Sequence, residues 1–223
     1  MYQYYIQQIV NKYNASVIGY ELLLRKQLNA QLVPITDFSE VPAKIVAGKI
    51  VAVAQLLSTK VPFLSVNLNR AQLSDPAISE ELCKIQKLLR PVQIQVELTE
   101  DQPQQPISDA MLKQQFHVFL TAGMTISIDD VDCICNTEQQ VRALLPFISE
   151  IKFALQNLGK SVYLPEVQQR ILFWRNFARQ YKLRFILEGI ENEAIDHFID
   201  TFHIDNRQGY FYEKPHPISE ISS

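Results

Sequence analysis

With 223 residues, 47% of them hydrophobic and 20% charged, the chain is long enough for one large domain and short for two. A net charge of −3 with scattered Lys and Arg offers no basic face for a nucleic-acid polymer. No apolar run is long enough to span a bilayer and no signal-peptide pattern is present, so a cytoplasmic location is expected. Cys83, Cys133 and Cys135 cannot all pair within one chain, which suits a reducing compartment. Cys133-Ile134-Cys135 lacks the partner pair or nearby His of a soft-metal site, and free thiols are expected. With no internal repeat and no low-complexity linker, residues 1–223 read as one domain.

In chain order, residues 4–10 and 17–25 read as strands joined by the turn Asn11-Lys12-Tyr13-Asn14. That connection is too short for a crossover helix, so the two strands should be antiparallel. Pro34 and Asp37 introduce a helix over about 39–58, with Pro42 in its first turn. Strand and helix then alternate. A strand at 63–68 precedes a helix capped near Asp75-Pro76 and running to Leu89, and a strand at 93–98 precedes a helix capped by Ser108 and ending before Gly123. The strand Thr125-Ile126-Ser127-Ile128 ends on Asp129-Asp130 and leads to a short helix at 141–145. A strand at 150–153, a helix from Pro165 to Tyr181, a strand at 184–188, a helix at 192–202 and a strand at 207–211 complete the chain. About eight strands in repeated β-α units favour a closed TIM-like (β/α)8 barrel with its first strand antiparallel.

The period-2 pattern assigns each strand a face. Leu64/Val66, Ile94/Val96, Ile126/Ile128 and Ile151/Phe153 suit covering helices. The other faces bring Glu21, Asn67, Glu97, Asp129, Lys152, Glu188 and Gln208 toward the barrel axis near strand C-terminal ends, where barrel active sites lie. Asp130 can join Asp129 only if the chain turns there, and two carboxylates so close call for a proton or a cation between them. Carboxylates with an amide oxygen make a hard-oxygen site for magnesium or manganese. His117, His197, His203 and His216 fall in helical or tail segments and are expected at the surface or in caps.

These residues also resemble the EAL domain, a bacterial family that hydrolyses cyclic di-GMP. Tyr20-Glu21-Leu22-Leu23-Leu24-Arg25 is similar to the family's E-A-L-L-R segment, with Leu22 in place of Ala. Val66-Asn67-Leu68, Glu97-Leu98-Thr99-Glu100, Asp129-Asp130, Ile151-Lys152, Glu188-Gly189-Ile190-Glu191 and Gln208-Gly209-Tyr210-Phe211 follow in the family's order, and Gln7 stands where its first strand has Q-P-I. The resemblance implies two ions, Mg2+ or Mn2+: one held by Glu21, Asn67, Glu97 and Asp129, the second by Asp129, Asp130 and Glu188. It further implies that a water assisted by Lys152 and Glu188 attacks one phosphorus in line and gives linear pGpG, a two-metal phosphodiester hydrolysis. Arg25 is then a phosphate contact, Gln7 and Gln208 lie near the nucleotide, and Glu100 and Glu191 brace loops.

Two departures stand beside the match. Where the family has D-D-F-G-x-G, this chain has Asp129-Asp130-Val131-Asp132-Cys133-Ile134-Cys135-Asn136, and Ala154 replaces an Asp two residues after Lys152. Without glycine, left-handed backbone is costly, so the loop is expected to take another path and to pack on its surroundings; a loop that fails to hold Asp130 would weaken the second ion. Two readings stay open: a metal-dependent cyclic di-GMP phosphodiesterase of reduced rate, and a non-hydrolysing module that senses the nucleotide or binds protein, a second copy of itself included.

Overall fold

Asn11 sets the first turn: its side-chain oxygen accepts from the backbone N–H of Tyr13 and Asn14, at 3.2 and 3.3 Å. The chain therefore doubles back, and β1 (Tyr2–Asn11) pairs antiparallel with β2 (Ser16–Leu28), as its short connection requires. The structure, a computed structural model, describes residues 2–29, 31–35, 41–57, 61–99, 108–133 and 136–218. Through these run β3 (Gln31–Pro34), α1 (Ala43–Leu57), β4 (Phe63–Leu68), α2 (Arg70–Leu73), α3 (Pro76–Leu89), β5 (Gln93–Leu98), α4 (Asp109–Ala122) and β6 (Thr125–Ile128). Then come α5 (Glu138–Leu144), β7 (Glu150–Ala154), a 3-10 turn (Leu155–Leu158), α6 (Pro165–Tyr181), β8 (Arg184–Glu188), α7 (Glu193–Asp200), β9 (Asn206–Arg207) and β10 (His216–Pro217).

Eight of these strands close on themselves in the order β1-β9-β8-β7-β6-β5-β4-β2, with β2 pairing back to β1. β1 is antiparallel to both neighbours, and every other pairing of the ring is parallel. This is the TIM-like barrel with an inverted first strand. β3 extends β2, and β10 lies along the middle of β1. Helix boundaries follow their caps: Asp75 accepts from the Ala77 N–H at 2.8 Å, Ser108 from Met111 at 3.3 Å and Asn192 from Ile195 at 3.0 Å.

The alternating apolar residues face the helices as their period demands. Leu64, Val66, Ile94, Val96, Ile126, Ile128, Ile151 and Phe153 are all buried in one core between sheet and helices. Inside the barrel a smaller cluster of Ile9, Phe63 and Ile186 fills the base, with the Arg184 guanidinium 4.7 Å from the Phe63 ring centre. Apolar filling below leaves the polar side chains gathered above.

Four expectations need correction. Pro42 stands one residue before α1, where its carbonyl accepts from the Ile45 N–H at 2.8 Å, and the expected ends of that helix at 39–40 and Ser58 lie outside the described residues. The helices expected at 141–145 and 192–202 are Glu138–Leu144 and Glu193–Asp200. The last strand is only Asn206–Arg207 rather than 207–211. Beyond Arg207 the chain leaves the sheet to bond Ile190, whose N–H donates to the Gln208 carbonyl at 3.2 Å and whose carbonyl accepts from Phe211 at 2.9 Å.

Gly209 is what lets the chain approach Ile190 so closely, since a Cβ there would overlap the Ile190 backbone. Gly209→Ala should therefore cost about 2 kcal/mol or more, because backbone cannot swing aside as a side chain can. Thermal denaturation of the variant reads this, and an unchanged midpoint would refute the close approach.

Candidate active site

Strand register brings the site together. Asn67 on β4 lies opposite Glu97 on β5, and Gln7 on β1 opposite Glu21 on β2. The Lys152 ammonium, on β7 and wholly buried, lies 2.5 Å from Glu188, 2.9 Å from Glu97, 3.3 Å from Glu21 and 4.0 Å from Asp129. Glu21 also accepts from Asn67 Nδ2 and from Gln208 Nε2, each at 2.6 Å, and Glu97 accepts from the Ser65 hydroxyl. Ser65, which lies between Leu64 and Val66 on β4 and so faces the other way, is thus part of the polar layer.

The paired aspartates do turn as a shared face requires. Asp130 adopts φ +48° and Asp132 φ +83°, so the glycine-free loop enters left-handed backbone after all. Asp is among the few side chains that tolerate that region. The Asp130 N–H donates to Asp129 Oδ1 at 3.0 Å, and Val131 is buried with its N–H on the Lys152 carbonyl at 3.0 Å. Asn136 Nδ2 donates to the Asp129 carbonyl at 2.5 Å, and Nε and Nη2 of Arg170, one edge of its guanidinium, grip the two oxygens of the Asp132 carboxylate. Of the described loop residues, Val131 and Asn136 are buried against their surroundings. Cys133 lies within the loop, with Asn157 Nδ2 at 3.7 Å from its sulfur, whereas Ile134 and Cys135 lie outside the described residues.

Single carboxylate oxygens of Asp129, Asp130 and Glu188 lie within 4.8 Å of one another, the set the resemblance assigns to the second ion. Of the set assigned to the first, Asn67 presents a buried Oδ1 with no hydrogen-bond partner among the described residues. Glu21 and Glu97 are turned instead toward Lys152 and neighbouring donors. Hard oxygens, an orphaned amide oxygen and surplus negative charge all fit a divalent cation.

A family model described as the EAL domain matches residues 2–215. The chain belongs to the EAL-domain family. No curated protein matches the sequence. Solved EAL structures share its fold across nearly the whole chain. The EAL enzyme Bd1971, in a form bound to cAMP and cyclic di-GMP, is 21% identical with a TM-score of 0.79 over 98% of this chain, which spans 63% of that longer protein. The PaMucR phosphodiesterase in complex with cyclic di-GMP is 19% identical with a TM-score of 0.79, over 99% of this chain and 94% of the other. Bacillus subtilis YkuI, with an EAL domain, in complex with substrate cyclic di-GMP and calcium, is 18% identical with a TM-score of 0.77, over 97% and 56%.

In this EAL domain a cavity of about 450 Å3 opens above the carboxylates and is lined by Arg25, Gln7, Gln208, Glu191 and Gln156 as well as by Glu21, Asp129, Asp130 and Glu188. That is within the usual range for a small-molecule site. Gln7 Nε2 donates to the Glu213 carbonyl at 2.9 Å while its oxygen accepts from Gln208 at 3.2 Å. The Arg25 guanidinium lies 5.5 Å from the Tyr5 ring centre. Glu191 is exposed at the cavity mouth, and Glu100 lies outside the described residues. Ala154 is buried at the end of β7, opposite Glu188 in register, and supplies no oxygen. Asn136, Gln156 and Asn157 went unnoticed in the sequence as site residues. Their one signal is position, just past strand C-terminal ends. Among the described residues no helix is long and apolar enough to cross a membrane.

Burial pushes Glu97 up to about 8 and Glu188 up to about 7, against the pull of Lys152, and raises Asp129 well above the carboxylate range. Burial acts on Glu21 too, but Lys152, Asn67 and Gln208 together hold it below its usual value. Lys152 is raised well above the lysine range because four carboxylates outweigh its burial. A carboxyl raised on folding binds more protons folded than unfolded, so metal-free stability should fall as pH rises from about 5 to 8. Thermal melts in chelator check this. Glu97→Gln, which cannot titrate, should flatten the slope, and an equal slope in the variant would refute the assignment.

Proposed function

We propose that this EAL domain hydrolyses cyclic di-GMP to linear pGpG with two divalent ions, Mg2+ or Mn2+. The carrying observation is the Asp129–Asp130–Glu188 triplet beside buried Lys152, at the floor of a cavity that Arg25 also lines. Glu21, Glu97, Asp129, Asp130 and Glu188 around one ammonium leave an excess of four negative charges when ionised, which two divalent ions would balance. Glu21, Asn67, Glu97 and Asp129 would hold one ion, and Asp129, Asp130 and Glu188 the other. When bound, the ions supply Lewis acidity at the phosphoryl group and neutralise charge on the attacking and leaving oxygens.

The chain's own residues supply the rest. Glu188 lines the cavity beside Asp129 and Asp130 and would assist the attacking water in giving up its proton. Lys152 stays charged and offers compensation to the oxygens of the phosphoryl group. Arg25 offers a fixed cation to a phosphate, and the Gln7–Gln208 pair presents amides at the cavity wall. The water oxygen bonds to phosphorus, one P–O3′ bond breaks, and the 3′ oxygen leaves with a proton. The EAL structures bound to cyclic di-GMP support the choice of substrate.

A second reading, a receptor that holds the nucleotide without cutting it, is favoured by one observation. Both oxygens of Glu97, which the first reading gives to an ion, are engaged by the protein's own Ser65 hydroxyl and Lys152 ammonium.

Incubating the protein with cyclic di-GMP and manganese should yield pGpG by chromatography. Glu21→Ala or Asp129→Ala should abolish measurable manganese binding in calorimetry and lower turnover by about a hundredfold or more. Lys152→Ala should keep the first ion and lose turnover. Tight nucleotide binding with no pGpG would establish the receptor, and unchanged manganese affinity in Glu21→Ala would overturn the metal assignment.

A further inference from the structure

Resting on the two-ion reading above, we propose that Asn157 is a positioning residue for the second ion, its amide aiming the Asp130 carboxylate at the place that Asp129 and Glu188 share. Asn157 Nδ2 donates to Asp130 Oδ1 at 2.6 Å and reaches Cys133 Sγ at 3.7 Å. A carboxylate only accepts, so the amide must present its nitrogen there.

Three features make this bond a device of the site. First, Asp130 sits in left-handed backbone immediately after the strand position of Asp129, so its side-chain direction is not set by the pleat and needs a partner to fix it. Second, Asn157 belongs to the 3-10 turn that begins at Leu155, the residue after β7, and Leu155 is buried in the core. The donor is thereby fixed relative to Lys152, three residues before that turn on the same rigid strand. Third, the donor is neutral. A Lys or Arg at this place would compete with a cation for Asp130, whereas an amide orients the carboxylate and leaves its charge available. The strand end itself offers nothing comparable, since Ala154 has no polar side chain. Asn157 thus supplies from the following turn an anchor that β7 lacks.

The test uses the full chain with Mn2+ as the probe, and two variants: Asn157→Leu, of similar volume without the donor, and Asn157→Gln, which keeps a neutral amide. Calorimetry should show two ions in the wild type. In Asn157→Leu the first should stay within about twofold and the second weaken about tenfold, with loss of the spin-coupled dimanganese signal in electron paramagnetic resonance. Asn157→Gln should restore most of that signal. In metal-free protein, amide hydrogen exchange across residues 130–136 should quicken in Asn157→Leu while β6 and β7 stay unchanged. Unaltered second-ion affinity, or equal weakening of both ions, would overturn the proposal while leaving the phosphodiesterase reading standing. A wild type that binds fewer than two ions would overturn the two-ion reading itself. Hydrogen exchange then decides separately whether Asn157 orders the Asp130 loop, and unchanged exchange would refute that role.

Discussion

A buried ammonium among carboxylates is the constraint on which the barrel's upper half depends. Lys152 has no solvent, and a desolvated charge of that kind survives only when its partners are close and numerous. β2, β5 and β8 each supply one and Asp129 follows directly on β6, so four strands distant in sequence are tied to a single point on β7. Removing one member of such a cluster leaves the others uncompensated, which is why the site and the closure of the sheet cannot be altered independently. The same cluster carries more negative than positive charge. An interior balanced by one lysine alone must take up protons or cations, and the raised positions of Glu97, Asp129 and Glu188 are the protonic answer to that demand.

The loop after β6 meets the same demand without glycine. Left-handed backbone at Asp130 and Asp132 costs on the order of 1 kcal/mol or more per residue. Charge-assisted bonds such as the Arg170–Asp132 fork contribute about 1.5 to 3 kcal/mol when well sheltered, and less here because Arg170 is partly exposed. The Asn136 amide on the Asp129 carbonyl and the burial of Val131 add to it. The strain is therefore held locally by named partners, and the two aspartates end on one side of the strand.

Much of this was legible because period 2 is a rigid code. Once Ile126 and Ile128 were assigned to the helices, Ser127 and Asp129 had to face the axis, and the same alternation located Glu97 and Lys152. Helix limits were legible where a cap stated them, as at Asp75 and Ser108. What escaped has no periodicity. The short β9 ends because residues 208–211 bond Ile190, a contact between segments nearly twenty residues apart, and nothing in Gln208-Gly209-Tyr210-Phe211 announces that partner. Asn136 and Asn157 act from loops, where one amide looks like any other until the chain is folded. The left-handed aspartates were missed for a different reason. The cost of left-handed backbone without glycine was weighed for residues in general, whereas Asp bears it more readily than most.

The inverted first strand gives the ring of carboxylates its asymmetry. Running against its neighbours, β1 sets Gln7 opposite Glu21, and residues 212–213 fasten it there through the Gln7 and Gln8 side chains. Gln7 in turn accepts from Gln208, whose amide also donates to Glu21. Glu21 thus has Asn67 and Gln208 besides Lys152 and remains ionised, whereas Glu97, more deeply enclosed, has a hydroxyl and the shared lysine. Glu188 shares that lysine and lacks such amide donors among the described residues, so burial moves it toward neutrality. One ammonium serves several acids, and the uncharged donors around each decide which stays an anion and which is free to exchange a proton.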